Sequence, residues 1–195
     1  MTLHHTATPA VGFATQQLHA GSAPARVNPR ALPIFLTAGF VLDDFDQATE
    51  LFSSGDGYSY TRVANPTAEA VERRVADLEG GAEALLVGSG QAAVAVTLLG
   101  LVNSGGRIAS AASLYEGTRG FLSDNLPRYG IHTDFVADAN DPAAWERAIG
   151  PNTRALFAES IPNPKNDVLD IAAVDRKSTR LNSSHSAVSR MPSSA

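Results

Sequence analysis

Cysteine is absent from all 195 residues. That excludes disulfide bridges and thiolate metal ligands, and it is compatible with a reducing compartment. Histidine does not supply a metal site either. His4, His5, His19, His132 and His185 are scattered with no ligand spacing, so no metal is expected. Positive charge is in short supply: 15 basic residues face 20 acidic ones, for a formal net charge of −5. With no basic face, nucleic acid is excluded as a partner. Long apolar runs are missing too. The longest, residues 92–102, is too short to span a bilayer, so no membrane partner is expected. The first residues lack a charged stretch followed by an apolar one, so no signal peptide is expected and the chain reads as cytoplasmic. No Gly-x-Ser-x-Gly elbow occurs.

What is present describes a globular chain, 44% hydrophobic and 18% charged, with the length of one domain or a large part of one. Residues 1–42 are rich in Pro, Thr and Gly without a sustained period and read as an extended arm ending in an apolar run, 31–41. An arm of that length wraps its own domain or embraces a second subunit. Asp43 or Asp44 is placed to cap a short helix, 45–52, ended by Ser-Ser-Gly-Asp-Gly. Asn65-Pro66 opens a second helix. Its Ala70, Val71, Val75 and Leu78 recur at spacings of three and four, and Gly80-Gly81 ends it. A short buried strand, 84–87, then turns at Gly88-Ser89-Gly90 into a helix, 91–102. Strands at 107–110, 131–136 and 154–158 alternate with helices at 116–126, halted or kinked by Pro127, and at 142–149, capped by Asp141. Strand–helix alternation of this length predicts parallel crossovers and an open α/β sheet.

Several residues carry possible chemistry. Ser89, Gly90 and Gln91 stand where a strand turns into a helix. A helix start offers unpaired N–H groups and the positive end of the dipole, and glycine lets a phosphate approach. The same small residues also serve simply to pack helix on strand. Tyr60 and Arg62 offer a hydroxyl and a fork of donors to a phosphate, or stand as loop packing and a surface charge. Tyr115 opens a helix after a strand, suited to stacking on a planar cofactor or to ordinary half-buried packing. Asn163 follows the strand 154–158, at the edge where parallel sheets bind ligands, and equally makes an Asn-Pro turn. Glu159 reads as a satisfied polar group at that strand end rather than an acid–base residue.

Taken in order, these stretches resemble the Cys/Met-metabolism family of pyridoxal-phosphate enzymes. The motifs are LHAG at 18–21, PIFLT at 33–37, YTRVANPT at 60–67, LEGGAEAL at 78–85, GSGQAA at 88–93, LYEGT at 114–118 and ESIPNPKNDVLDI at 159–171. Together they cover residues 13–174. The resemblance implies an α/β fold of aspartate-aminotransferase type (fold type I), with the N-terminal part of the large domain and a mostly parallel sheet behind an extended arm. It implies residues 1–55 as arm and short helix, and residues 56–174 as an incomplete cofactor-binding domain. YTR, SGQAA and NPK-x-DVLDI resemble the branch that replaces the acetate of O-acetyl-L-homoserine with sulfide or methanethiol, giving homocysteine or methionine. The implied cofactor is pyridoxal 5'-phosphate and the implied partner a second copy, in a homodimer or homotetramer.

By the same resemblance, Tyr60 and Arg62 reach the cofactor phosphate of the partner subunit. Ser89, Gly90 and Gln91 hold the phosphate of their own chain. Tyr115 stacks on the pyridine ring and assists proton transfer. Asn163 contacts the cofactor's phenolic oxygen or the substrate carboxylate. Glu116 and Pro162 stand where the family usually has smaller residues. The family's Schiff-base lysine lies in a Ser-Ala-Thr-Lys box that this chain lacks. Its only lysines are Lys165 and Lys177, neither at that position. The chain alone is therefore expected to be inactive. In this family the sheet positions beside strand 84–87 are filled by later strands, so an unpaired edge and a tendency to aggregate are expected.

Residues 175–195 are of another kind: seven of 21 are Ser, and four basic residues face one acid. They read as a disordered soluble tail. DRKSTRLNSSH followed by VSRMPSSA also resembles a translated sequencing adapter, which makes this stretch a non-native tail. Two alternatives to γ-replacement remain. One is a methionine γ-lyase or cystathionine γ-synthase of the same family. The other is a standalone phosphate-binding α/β module without catalysis.

Overall fold

The computed structural model describes residues 12–21 and 30–175. His4, His5, Lys177, His185 and the Ser-rich stretch from 176 onward lie outside the described residues. Contacts divide the chain into two units, residues 1–86 and 87–195.

The first unit holds three helices: α1 (Phe13–His19), α2 (Phe45–Ser54) and α3 (Pro66–Glu79). The helix α1 corrects the expectation of a wholly extended arm. It buries none of its own residues, so it has no apolar period to read. It is tied to α3 through the turn that follows it. Arg74 Nε donates to Ala20 O at 2.9 Å. Gly21, at φ 76°, lies so close to α3 that a Cβ there would stand 2.1 Å from the Ala70 carbonyl oxygen. Only glycine tolerates both the conformation and the approach, which gives the LHAG motif a packing reason.

Asp44 caps α2: its carboxylate accepts the Gln47 N–H at 2.7 Å while the Gln47 side chain accepts the Asp43 N–H at 2.6 Å. This resembles a capping box shifted by one residue, since the back-bond goes to the N–H before the N-cap rather than to that of the N-cap. Gly55, at φ 75°, ends the helix. In α3, Asn65 accepts the Thr67 N–H at 2.9 Å, Pro66 occupies the first turn and Gly80 closes the helix in the left-handed region. The expected apolar face is only partly covered. Ala70 and Ala76 are buried, but Val71 and Val75 are 40% and 45% exposed.

Residues 84–87 join no strand among the described residues, in keeping with the unpaired edge expected there. The Leu86 N–H goes instead to the Glu72 carboxylate at 2.8 Å. Leu85 remains 70% exposed.

The second unit is a three-stranded parallel sheet, β1 (Arg107–Ala111), β2 (His132–Val136) and β3 (Thr153–Phe157), in the order β2-β1-β3. The central strand is covered on both faces: Ile108, Ala109 and Ser110 are fully buried. Around it close Leu98 from α4 (Gly90–Leu101) and its C-cap Val102, Leu122 and Leu126, and Trp145 from α6 (Pro142–Ala148). The Trp145 indole N–H donates to Ala139 O at 2.8 Å, so the largest buried side chain leaves no polar atom unpaired. At the sheet edge Arg107 grips Asp134 with two hydrogen bonds, one of 2.6 Å. The bond to Arg107 holds the Asp134 carboxyl below its ordinary range.

Pro127 does not stop the expected helix. After α5 (Glu116–Gly120) the chain widens to a π-turn over Phe121–Asn125 and tightens to a 3₁₀ turn over Leu126–Tyr129. Proline lacks an N–H and clashes with the carbonyl four residues back. The change of pitch places it where neither matters, and both Leu122 and Leu126 stay buried. Among the described residues no helix is long and apolar enough to cross a membrane.

Candidate functional site

The start of α4 presents donors. Ser89 caps the helix: its Oγ accepts the Ala92 N–H at 3.1 Å and its carbonyl takes the Ala93 N–H at 3.0 Å. The N–H groups of Gly90 and Gln91 are left without an acceptor among the described residues. A Cβ at Gly88 or Gly90 would meet nothing within 4 Å, so the space above the turn is open. Ser89 uses its oxygen as the cap, and its hydroxyl proton remains available. The positive end of the α4 dipole lies at this turn, and α4 runs for 12 residues.

The carboxyl edge of the sheet carries the other half. Tyr115 stands after β1 as the N-cap of α5, 52% exposed. Its N–H donates to both oxygens of Glu159, each at 3.1 Å. Glu159 thus serves as a satisfied polar group just beyond β3. Burial pushes its carboxyl above the ordinary value, and the Tyr115 N–H pulls the other way. The Tyr115 ring lies over Gly117: a Cβ there would stand 2.5 Å from the ring's Cε1. Glycine at 117 is what lets the ring take this position. Glu116 begins α5, an acid in the first turn, where the dipole favours it.

One contact joins the halves. The buried Thr118 hydroxyl donates to Gln91 Oε1 at 3.4 Å, linking the first turn of α4 to the helix opened by Tyr115. Gln91 Nε2 is buried with no partner among the described residues. The side chains of Thr118 and Gln91 were not singled out by sequence reasoning, although the Gly-Thr pair sits inside the LYEGT stretch. Asn163 is exposed on the loop after β3, four residues past Glu159, and precedes a cis proline. Pro162 beside it is buried, and its carbonyl accepts the Asn166 N–H at 2.7 Å. Gln91 is thus linked through Thr118 to the helix that Tyr115 caps, and Asn163 stands on the loop after β3.

Tyr60 and Arg62 belong to the first unit. Tyr60 forms an antiparallel bridge with Gly39 and is 46% exposed. The Arg62 guanidinium lies 5.5 Å from the Tyr60 ring centroid, and no carboxylate pairs with it among the described residues. No group of residues suited to a metal ion occurs among the described residues.

The donors at the start of α4 fit a phosphate. Two N–H groups without acceptors and a hydroxyl proton lie in the turn, and the turn carries no carboxylate. Pyridoxal phosphate, which carries a phosphate on a planar ring, also matches the exposed Tyr115 ring nearby in the chain's contacts.

Comparison with known proteins agrees. An O-acetyl-L-homoserine sulfhydrylase of Corynebacterium glutamicum is 44% identical over 165 residues, 84% of this chain and 38% of that protein. An L-methionine gamma-lyase of Treponema denticola is 38% identical over 167 residues, 85% of this chain and 41% of that protein. A solved O-acetylhomoserine (thiol)-lyase structure from Campylobacter jejuni superposes with a TM-score of 0.79 at 30% identity. It covers 87% of this chain and 42% of that one, and contains N'-pyridoxyl-lysine-5'-monophosphate. The chain thus spans about two-fifths of the length of these relatives, and its fold is that of fold-type-I pyridoxal-phosphate enzymes. The family described as Cys/Met metabolism PLP-dependent enzyme matches residues 14–185, and the chain belongs to it.

Proposed function

We propose that this chain is the phosphate-binding N-terminal part of an enzyme that replaces the acetate of O-acetyl-L-homoserine with sulfide or methanethiol. The observation that carries the cofactor half is the start of α4, with free Gly90 and Gln91 N–H groups tied through Gln91 and Thr118 to the helix of Tyr115. The O-acetyl-L-homoserine sulfhydrylase at 44% identity supports the choice of reaction. When bound, pyridoxal phosphate supplies an electron sink for the substrate amino acid. The residues here do the rest of the work. Ser89, Gly90 and Gln91 hold the phosphate, and Tyr115 covers the ring and moves a proton at its hydroxyl. Asn163 donates its amide to the phenolic oxygen or to the substrate carboxylate. Tyr60 and Arg62, exposed and unpaired with any described carboxylate, serve the cofactor of a second copy in a cytoplasmic homodimer or homotetramer.

The 38% identity to an L-methionine gamma-lyase favours γ-elimination as the second reading. One experiment separates the two. The full-length protein that carries this segment is supplied with O-acetyl-L-homoserine and sulfide, or with methionine alone. Homocysteine formation in the first mixture and no thiol release in the second support γ-replacement; the reverse pattern overturns it. Neither Lys165 nor Lys177 stands at the family's Schiff-base position, so pyridoxal phosphate added to the 195-residue chain itself should give no strong borohydride-reducible band. A strong reducible band would overturn the expectation that the chain alone is inert.

A further inference from the structure

The loop that carries Tyr60 and Arg62 is fastened at both ends to one helix. At its far end Asn65 caps α3, and the Asn65 amide also donates to Phe35 O at 3.1 Å and to Thr61 Oγ1 at 3.0 Å. At its near end the Tyr58 hydroxyl donates to Glu69 Oε2, one turn into α3. The other Glu69 oxygen accepts from Arg73, so both oxygens are engaged and the carboxylate is held in one orientation. The Tyr58 ring packs on Phe40, with centroids 5.5 Å apart. Between these ends the backbone is zipped to residues 37–40. Phe40 N–H donates to Ser59 O at 3.0 Å, Thr61 N–H to Ala38 O at 2.9 Å, and Thr61 Oγ1 to Thr37 O. The side chains of Tyr60 and Arg62 are both exposed and lie against each other, the guanidinium 5.5 Å from the ring centroid.

Ring packing on Phe40 needs no hydroxyl. A tyrosine whose hydroxyl reaches across eleven residues to a fixed carboxylate does something packing does not: it closes the segment 58–69 into a loop. A closed loop loses conformational freedom that an open one must give up when a ligand arrives. We propose that Tyr58 and Glu69 are positioning residues for phosphate recognition, their hydrogen bond holding the Tyr60–Arg62 pair in its receiving geometry. This rests on the reading of Tyr60 and Arg62 as phosphate ligands. Neither Tyr58 nor Glu69 touches the phosphate. Burial first, then the bond to Glu69, pushes the Tyr58 hydroxyl up to about 12, so it stays a donor throughout the working range of pH.

The test compares pyridoxal phosphate with pyridoxal, which lacks the phosphate, as ligands of the full-length apoprotein. Three variants are titrated: Tyr58→Phe, Glu69→Gln and Arg62→Ala. The expected result is that Tyr58→Phe weakens pyridoxal phosphate about tenfold, the worth of one hydrogen bond to a charged group, and leaves pyridoxal unchanged. Glu69→Gln keeps an acceptor and shows a smaller loss in the same direction. Arg62→Ala removes most of the preference for the phosphate form. A Tyr58→Phe ratio within about twofold of the parent, alongside a collapsed Arg62→Ala ratio, would overturn the positioning role while leaving the phosphate ligands in place. An unchanged Arg62→Ala ratio would instead overturn the reading of the pair itself, and the proposal with it.

Discussion

Ser89 has two tasks in this account, and three substitutions separate them. Its Oγ accepts the Ala92 N–H at 3.1 Å, which caps α4. Its proton is left to donate to a phosphate resting on the Gly90 and Gln91 N–H groups. Ser89→Ala removes both. The lost cap costs about 1 kcal/mol of stability, and the lost donor about 1.5 kcal/mol of affinity, roughly tenfold in Kd. Ser89→Gly keeps most of the cap's worth, to within a few tenths of a kcal/mol, and should show the same tenfold loss. Ser89→Asp is the decisive variant. An aspartate caps as well as serine and suits the dipole, so stability is kept. Its charge, however, stands about 4 Å from a phosphate held there. At an effective dielectric of about 20 that repulsion is about 4 kcal/mol, near a thousandfold in Kd. Denaturant unfolding and pyridoxal-phosphate titration of the full-length apoprotein read the two quantities separately. A Ser89→Asp protein that is stable and binds pyridoxal phosphate within tenfold of the parent would refute a phosphate at this turn.

Three further expectations follow from the packing and the charges. Trp145→Ala, at the buried centre of the second unit, should cost about 3–5 kcal/mol in denaturant unfolding; Trp145→Phe should cost less, mainly through the Ala139 carbonyl left without its donor. Gly117→Ala brings a Cβ within 2.5 Å of the Tyr115 ring, which must swing away, so cofactor circular dichroism should change with little loss of fold stability. Tyr58 has a folded pKa of about 12 against an ordinary 10.0. Burial first, and then the bond to Glu69, raise it, so the stability linked to the protonated hydroxyl is present in full below pH 10 and is lost as pH rises toward 12. The full shift is worth about 2.7 kcal/mol, and solvent at this half-buried group screens it to about 1 kcal/mol. Tyr58→Phe should abolish that part of the alkaline loss of stability.

Much of the fold was legible in local chemistry. Asp44 and Asp141 each accept a first-turn N–H of the helix they were expected to cap, Asn65 and Ser89 cap theirs as well, and Gly55 and Gly80 end their helices in the left-handed region. Caps and terminators act through neighbouring residues, so sequence exposes them. What was not legible depends on distant partners or on their lack. The helix α1 has no buried face to produce a period. Val71 and Val75 repeat at helical spacing yet remain exposed. At the site, Ser89 and Tyr115 were legible only as candidates, from their motifs. The Thr118–Gln91 and Tyr115–Glu159 contacts were not, because each joins residues 27 and 44 positions apart.

The claim on which the rest depends is that a cofactor phosphate sits at the start of α4. A crystal structure of the full-length protein with pyridoxal phosphate tests it most directly. The account predicts the phosphate accepting from the Gly90 and Gln91 N–H groups and the Ser89 hydroxyl, with the pyridine ring against Tyr115. A phosphate bound elsewhere, with those two N–H groups facing only water, would contradict it.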